Sequence, residues 1–213
     1  MTVVDTTNLR RTGDMPGSHH PVLQGLETYW QALRHARYVP SRNDVQPSQI
    51  DAALPHTFIL QRVAPGIARM RVAGQQLHDL LKMDARGMPI STFFLPEARD
   101  QLAGLIEAAF SEPAIIAVPL YSPGSLIKPS LTGAMLLLPL RDDEGITSRI
   151  MGAIVTEGNR GTRPRRFSIP DTIPIRHETL GIKLAAVQQL PHRQKEKGPD
   201  VARPALRLVV NNG

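Results

Sequence analysis

The side chains able to do chemistry in this 213-residue chain are scattered, and their spacing argues against most reactions before any fold is considered. No G-x-S-x-G, H-E-x-x-H or P-loop pattern occurs, so the usual nucleophile, zinc-hydrolase and phosphate-loop arrangements are missing. The stretch Gly158–Gly161 runs into basic coil, and His177-Glu178 lacks the second histidine of a zinc helix. Cysteine is absent, which removes disulfides, thiolate metal sites and a cysteine nucleophile. His19 and His20 are neighbours, and neighbours point apart on regular structure, so they make a poor chelate. A haem would need an axial ligand. His78 is the best-placed candidate and His56 the next, set against the commoner structural role of a single histidine. Met83 and Met88 read as gap fillers. The expectation is a protein with no enzymatic activity and no metal.

Three further polar residues stand out. Arg42 with Asp44 is either a ligand or partner contact or a salt bridge pinning the loop that orients the first helix. Arg71 either reaches among the helices to bind an anion or pairs with Asp79 or Asp100. Any small-molecule pocket would be apolar, and the candidates to line it are Phe58, Leu60, Leu77, Leu81, Phe94, Leu102, Ile106, Met135, Leu137 and Ile154. The same residues are what a core would use.

The elements that must position these residues follow from hydrophobic periodicity. Val22–Arg37 reads as an amphipathic helix with Val22, Leu26, Tyr29, Trp30, Leu33 and Ala36 along one stripe. That stripe either packs on its own domain or pairs with a second copy, making Leu26, Tyr29, Trp30 and Leu33 the dimer-interface candidates. Ser48 opens a short helix through Leu54. Leu54–Val63 and Ile67–Ala73 read as a hairpin around Pro65-Gly66, with Ala68, Met70 and Val72 alternating against Arg69 and Arg71. Gln75–Lys82 is a short helix and Glu97–Phe110 a longer one led by Pro96. Three strands follow: Ala114–Tyr121, Leu131–Leu140 and Arg149–Thr156. Pro119 cannot donate to a ladder, so its strand belongs at an edge. Met135–Leu138 is apolar at every position, which demands cover on both faces of the sheet, by helices on one and by Val22–Arg37 or a partner on the other.

Charge divides the chain. Residues 1–157 carry 14 Lys/Arg and 15 Asp/Glu, whereas residues 158–213 carry 11 and 4, so the high pI belongs to the tail. Residues 1–21 read as disordered, 22–157 as the domain and 158–213 as a basic, partly disordered tail holding a linker (Gly158–Arg166), a helix over Ile175–Gln189 and a strand-like run, Ala205–Val210. Met1–Leu23 has no signal-peptide core, and the apolar runs Ala114–Leu120 and Ala134–Leu140 are too short to span a bilayer. A soluble, cytoplasmic protein is expected.

Trp30, Val39-Pro40-Ser41-Arg42-Asn43-Asp44, Leu54-Pro55, Arg71-Val72-Ala73-Gly74, Gly87 and Leu138-Pro139-Leu140 stand in an order and spacing that resembles the alphaproteobacterial PAS-like family, formerly a domain of unknown function, over Leu26–Glu157. The Leu206–Val210 ending is similar to that of some members. The resemblance implies an α+β fold: a five-stranded antiparallel sheet in the order 2-1-5-4-3, with helices clasping one face. It also implies a stand-alone sensory or regulatory module, a homodimer through the N-terminal helix, a signalling protein partner in trans and gating by a small ligand. It names no cofactor. Without cysteine, flavin-adduct photochemistry is excluded, though not flavin binding. No kinase, cyclase or DNA-binding effector is readable after Glu157, so output is expected through a partner or the tail. The alternative is an adaptor using the basic tail on nucleic acid or an anionic membrane.

Overall fold

The computed structural model describes residues 19–34, 38–125 and 129–180. Of the segment expected to be disordered, 1–21, residues 1–18 lie outside the described residues, as does the Ala205–Val210 run, whereas Pro21 already belongs to a helix. Helix α1 spans Pro21–Arg34. Pro21 fits its first turn because no donor is needed there, and the His20 carbonyl accepts from the N–H groups of Leu23 and Gln24 at 2.9 and 3.1 Å. Its buried stripe is Leu23, Leu26 and Trp30, so Leu23 takes the place expected for Val22.

Single turns of 3-10 helix at Arg42–Asp44, Pro47–Gln49 and Leu54–His56 lead to β1 (Thr57–Ala64). The strand starts later than expected because Pro55 has no N–H to give. The helix expected from Ser48 through Leu54 is replaced by two of these turns. β2 (Ile67–Ala73) returns through Pro65-Gly66, where Gly66 takes φ +68°, a conformation that favours glycine. Helix α2 covers Gln75–Leu81. Two more 3-10 turns, Ile90–Phe93 and Pro96–Ala98, enter α3 (Arg99–Ser111). Strands β3 (Ala114–Ser122), β4 (Leu131–Arg141) and β5 (Thr147–Glu157) follow.

The sheet is antiparallel in the order β2-β1-β5-β4-β3-β6. Its first five strands match the expected 2-1-5-4-3, and α2, α3 and the turns between them clasp one face. Phe58, Leu60, Met135, Leu137, Ile150 and Ile154 face that side. Ile59, Leu136, Leu138, Met151, Ala153 and Val155 face the other, beneath Leu23, Leu26 and Trp30 of α1. The double cover demanded by Met135–Leu138 is thus supplied within one chain. The indole N–H of Trp30 donates to the Pro139 carbonyl at 2.9 Å, so the helix is fixed in register as well as by apolar contact.

The sixth strand, β6 (Arg176–Thr179), is one more than expected and replaces the helix predicted over Ile175–Gln189 for its described part. It pairs with β3 from Ala117↔Arg176 to Ala114↔Thr179, and Leu180 then buries on the α1 side. β3 is therefore no edge strand over that stretch. Tyr121 exchanges both backbone bonds with Ser168, at 3.0 and 2.7 Å. Since Tyr121 points its N–H away from β4, the Pro119 nitrogen two residues earlier faces the same way in the strand alternation. The missing donor falls in the gap between the Ser168 bridge and β6, so the proline marks the right side of the strand but not a free edge.

Between β5 and β6 the chain makes a strap rather than a loose linker. The Arg165 N–H donates to the Leu80 carbonyl, Phe167 N–H donates to the Phe93 carbonyl, and Leu95 N–H donates back to Phe167. Phe167 is 0% and Ile169 7% exposed, both within the clasp core. Arg165 is fully buried too, and its guanidinium donates to the carbonyls of Arg160, Pro129 and Asn159 at 2.7, 2.7 and 2.8 Å. Burial lowers its pKa from the ordinary guanidinium value, and the three carbonyls stand in for a counter-ion.

Candidate functional site

All ten apolar candidates, Phe58 through Ile154, belong to one cluster between sheet and helices, and none is more than 3% exposed. The alternation of β1, β4 and β5 places Phe58, Leu60, Met135, Leu137 and Ile154 on its floor. The i, i+4 spacings of Leu77/Leu81 and Leu102/Ile106 place the helical members above them. Gly152 makes the floor possible: a Cβ there would lie 2.5 Å from the Phe58 ring and 2.3 Å from the Leu136 carbonyl oxygen. The residues missed by sequence reading are Phe167 and Ile169, which enter the same cluster from the strap. A depression of about 200 Å³ opens at one end of the clasp, between Gly66–Ala68 and Pro89–Ser91, with Leu102 lining it. The hairpin beside it is tied to α3 by Glu107, whose carboxylate accepts from the Gly66 N–H at 2.9 Å and pairs with Arg62. Those bonds and the Ser111 hydroxyl hold its pKa below the usual carboxylate range.

His78 is not available as an axial ligand. Its Nδ1 accepts from the Ala85 N–H at 3.0 Å, and its Nε2 lies 3.1 Å from the Ala73 carbonyl. The tautomer with hydrogen on Nε2 satisfies both contacts and occupies both ring nitrogens. Asp84 lies 3.4 Å from Nδ1, but a full ion pair would require that nitrogen to give up Ala85. Arg86 binds Asp84 through both carboxylate oxygens and holds its pKa down to about 2. His56 has Nδ1 3.2 Å from the Ile154 carbonyl. Burial lowers its pKa, the Ile154 contact opposes the shift, and the nearby Arg160 and His20 add to it. Among the described residues no group of three or more His, Cys, Asp or Glu is placed to hold a metal.

Arg42, Asp44 and Arg71 separate in an unexpected way. Asp44 pins its loop through a capping box: its carboxylate accepts from the Ser41 N–H at 3.3 Å while the Ser41 hydroxyl accepts from Asn43. Arg42 takes no part in that and forms no ion pair among the described residues. Arg71 does not enter the clasp or meet Asp79 or Asp100. The β1–β2 register slips between Ile59↔Val72 and Leu60↔Met70, a bulge that sets Arg71 and Val72 together opposite Ile59. Val72 therefore leaves the Ala68/Met70 face and is 45% exposed. Arg71 Nε donates to the Gln61 side chain on the face opposite the clasp. Arg42 and Arg71 converge there on a groove of about 430 Å³, which Asn43, Ile59, Gln61, Val72, Asp142, Asp143 and Arg149 also line. Arg149 lies directly across from Gln61 in the β1–β5 register.

The dimer-interface candidates divide. Leu26 and Trp30 are 0% exposed against their own sheet, so a second copy could not reach them with α1 docked. Tyr29 and Leu33 keep partial exposure, and Tyr29 exchanges bonds with the Gln46 backbone. The basic residues of the strap and of β6 are largely engaged: Arg160 donates to Thr156, Arg166 to the Thr92 carbonyl, and Arg176 in β6 to both oxygens of Glu27 on α1 and to Glu178. No described helix is long and apolar enough to cross a membrane.

A family model described as a PAS domain matches residues 18–155. The matched span ends inside β5, so the strap and β6 lie beyond it. No curated protein matches the sequence. Similar solved structures include the dark structure of the blue-light photoreceptor Aureochrome1 LOV, at 15% identity and TM-score 0.38 over 52% of this chain and 80% of that one. A LOV domain studied with a flavin analogue has 16% identity and TM-score 0.36 over 53% and 86%. An RNA-binding light-oxygen-voltage receptor has 14% identity and TM-score 0.37 over 51% and 32%.

Proposed function

This chain belongs to the PAS domain family, a family of sensory modules, and on that premise we propose that it is a regulatory module of the alphaproteobacterial PAS-like type. In this reading it acts through contacts with a signalling protein in trans and is gated by a small ligand held in the clasp. One observation carries the reading: the strap that places Phe167 and Ile169 in the clasp core also leads directly into β6, which Arg176 fastens to Glu27 of α1. A ligand that reshapes the clasp must move Phe167, and the same segment presents the edge of the sheet and touches the N-terminal helix. Occupancy is thereby coupled to surface that a partner can read. A homodimer through α1 would use Tyr29 and Leu33 on its flank.

Native mass spectrometry of gently purified protein tests the ligand. The expected spectrum shows a non-covalent adduct that denaturation releases, with its absorbance reporting any chromophore. A bare chain that also fails to take up small apolar probes refutes gating through the clasp. Light scattering of the wild type and Leu33→Glu tests the dimer, which the substitution should dissociate; a wild-type monomer refutes it.

A further inference from the structure

On the sheet face opposite the clasp, we propose that the groove between Arg42, Arg71 and Arg149 is a binding site for an oxyanion carrying two or more negative charges, an organic phosphate or a polycarboxylate. The three guanidiniums come from three separate parts of the chain: the loop before β1, the β2 bulge and the start of β5. Strand pairing brings the last two together across Gln61. None of the three forms an ion pair among the described residues, and Arg42 makes no side-chain hydrogen bond there. Arg71 donates only to Gln61, and Arg149 makes one long contact, 3.4 Å, to the neighbouring Ser148 carbonyl.

The two carboxylates in the groove are spoken for. Asp142 accepts from the Ser148 hydroxyl and the Ile146 N–H, and those bonds lower its pKa. Asp143 accepts from the Asn43 side chain at 2.6 Å. The acidic groups therefore shape the β4–β5 turn and the rim, while most guanidinium donors stay open. A guanidinium fork matches the oxygen spacing of phosphate and carboxylate, and three such forks favour a multiply charged group over a single carboxylate. At about 430 Å³ the groove falls within the usual range for small-ligand sites, and Ile59 and Val72 give it an apolar floor for a ligand's organic body. This site lies apart from the clasp, so its failure and the failure of the clasp reading are distinguishable.

The test is calorimetric titration of the full chain with pyrophosphate and, separately, citrate at near-physiological salt. Saturable binding of one or both is expected, and the tighter arm assigns the phosphate or the carboxylate class. Arg71→Gln and Arg149→Gln should each weaken that binding by about tenfold or more, the scale of one lost charge-assisted contact. Asp143→Asn should strengthen it by removing a negative charge from the rim. Arg69→Gln, on the same strand but donating to the Gly87 carbonyl outside the groove, should leave it unchanged. Circular dichroism confirms that each variant is folded, and Arg71, which is exposed, gives a variant that does not disturb the core. Absence of saturable binding up to about millimolar concentrations, the weak end of specific affinities, overturns the proposal. So does a loss in Arg69→Gln equal to that in Arg71→Gln, which marks general attraction to a basic surface.

Discussion

Replacing Phe167 with alanine tests whether the strap is part of the core or merely lies on it. The ring is 0% exposed and sits in the same cluster as Phe58, Phe94 and Leu137. Truncating a buried phenylalanine costs about 3–5 kcal/mol, counting both the lost transfer energy and the void left behind. The backbone bonds of residue 167 to Phe93 and Leu95, 2.8 and 2.9 Å long, do not depend on the side chain and should hold the strap in place around the void. Urea unfolding gives the loss directly. Trp30 is the single tryptophan and lies on the far face of the sheet, so its emission reports global unfolding rather than changes at the strap. The void should accept a small aromatic probe such as indole. At a tenfold excess over its Kd the probe would restore about 1.4 kcal/mol through linkage. A loss below about 1 kcal/mol, typical of a surface site, with unchanged amide exchange at Leu95 and Tyr121, would refute the claim that the strap completes the clasp.

Gly152→Ala should lose at least the upper end of the usual overpacking cost, about 3 kcal/mol, in the same urea assay, because the added methyl collides with the Phe58 ring and the Leu136 carbonyl. Arg176→Gln should change global stability by less than about 1 kcal/mol, as expected for an exposed pair, while accelerating amide exchange at Ile115 and Ala117 as β6 loosens. His56 sets a pH dependence: its folded pKa lies below 6.5, so the unfolded chain binds the proton more readily. Its contribution is fully present above pH 6.5 and is lost as pH falls through the folded value. Urea midpoints should therefore drop from about pH 7.5 to about pH 5.5, and His56→Asn should flatten that slope; equal slopes in the two proteins would contradict it.

Much of this architecture was legible because it depends on local periodicity. The run Met135–Leu138 announced a strand covered on both faces, and Leu26 and Trp30 sit on the helix that supplies the second cover. The clasp residues were legible for the same reason: a core position and a pocket position look alike in sequence. What escaped depends on pairing between distant segments. Arg149 lies across from Gln61 only once β1 and β5 are in register, and Arg71 leaves the alternation only because of a bulge. Phe167 sits in a stretch dominated by arginine and proline, where composition suggested solvated coil. Its partners are backbone groups at Phe93 and Leu95, which no side-chain pattern encodes. Leu180 had the spacing of a helix with Leu184, but the strand geometry of Arg176–Thr179 took it to the sheet core instead.

The strap also determines where the chain can be cut. A fragment ending at Glu157, at the natural close of β5, would lack the ring that fills the clasp and would leave the outer side of β3 bare. That side bears the N–H and C=O groups of Ile115 and Ala117, amid a run that is apolar and buried from Ala114 to Leu120. An open, hydrophobic strand border of this kind recruits other strands. Such a fragment should therefore be prone to self-association, whereas one reaching Leu180 keeps the border closed. The smallest piece expected to fold by itself therefore extends past residue 155, where the family match ends.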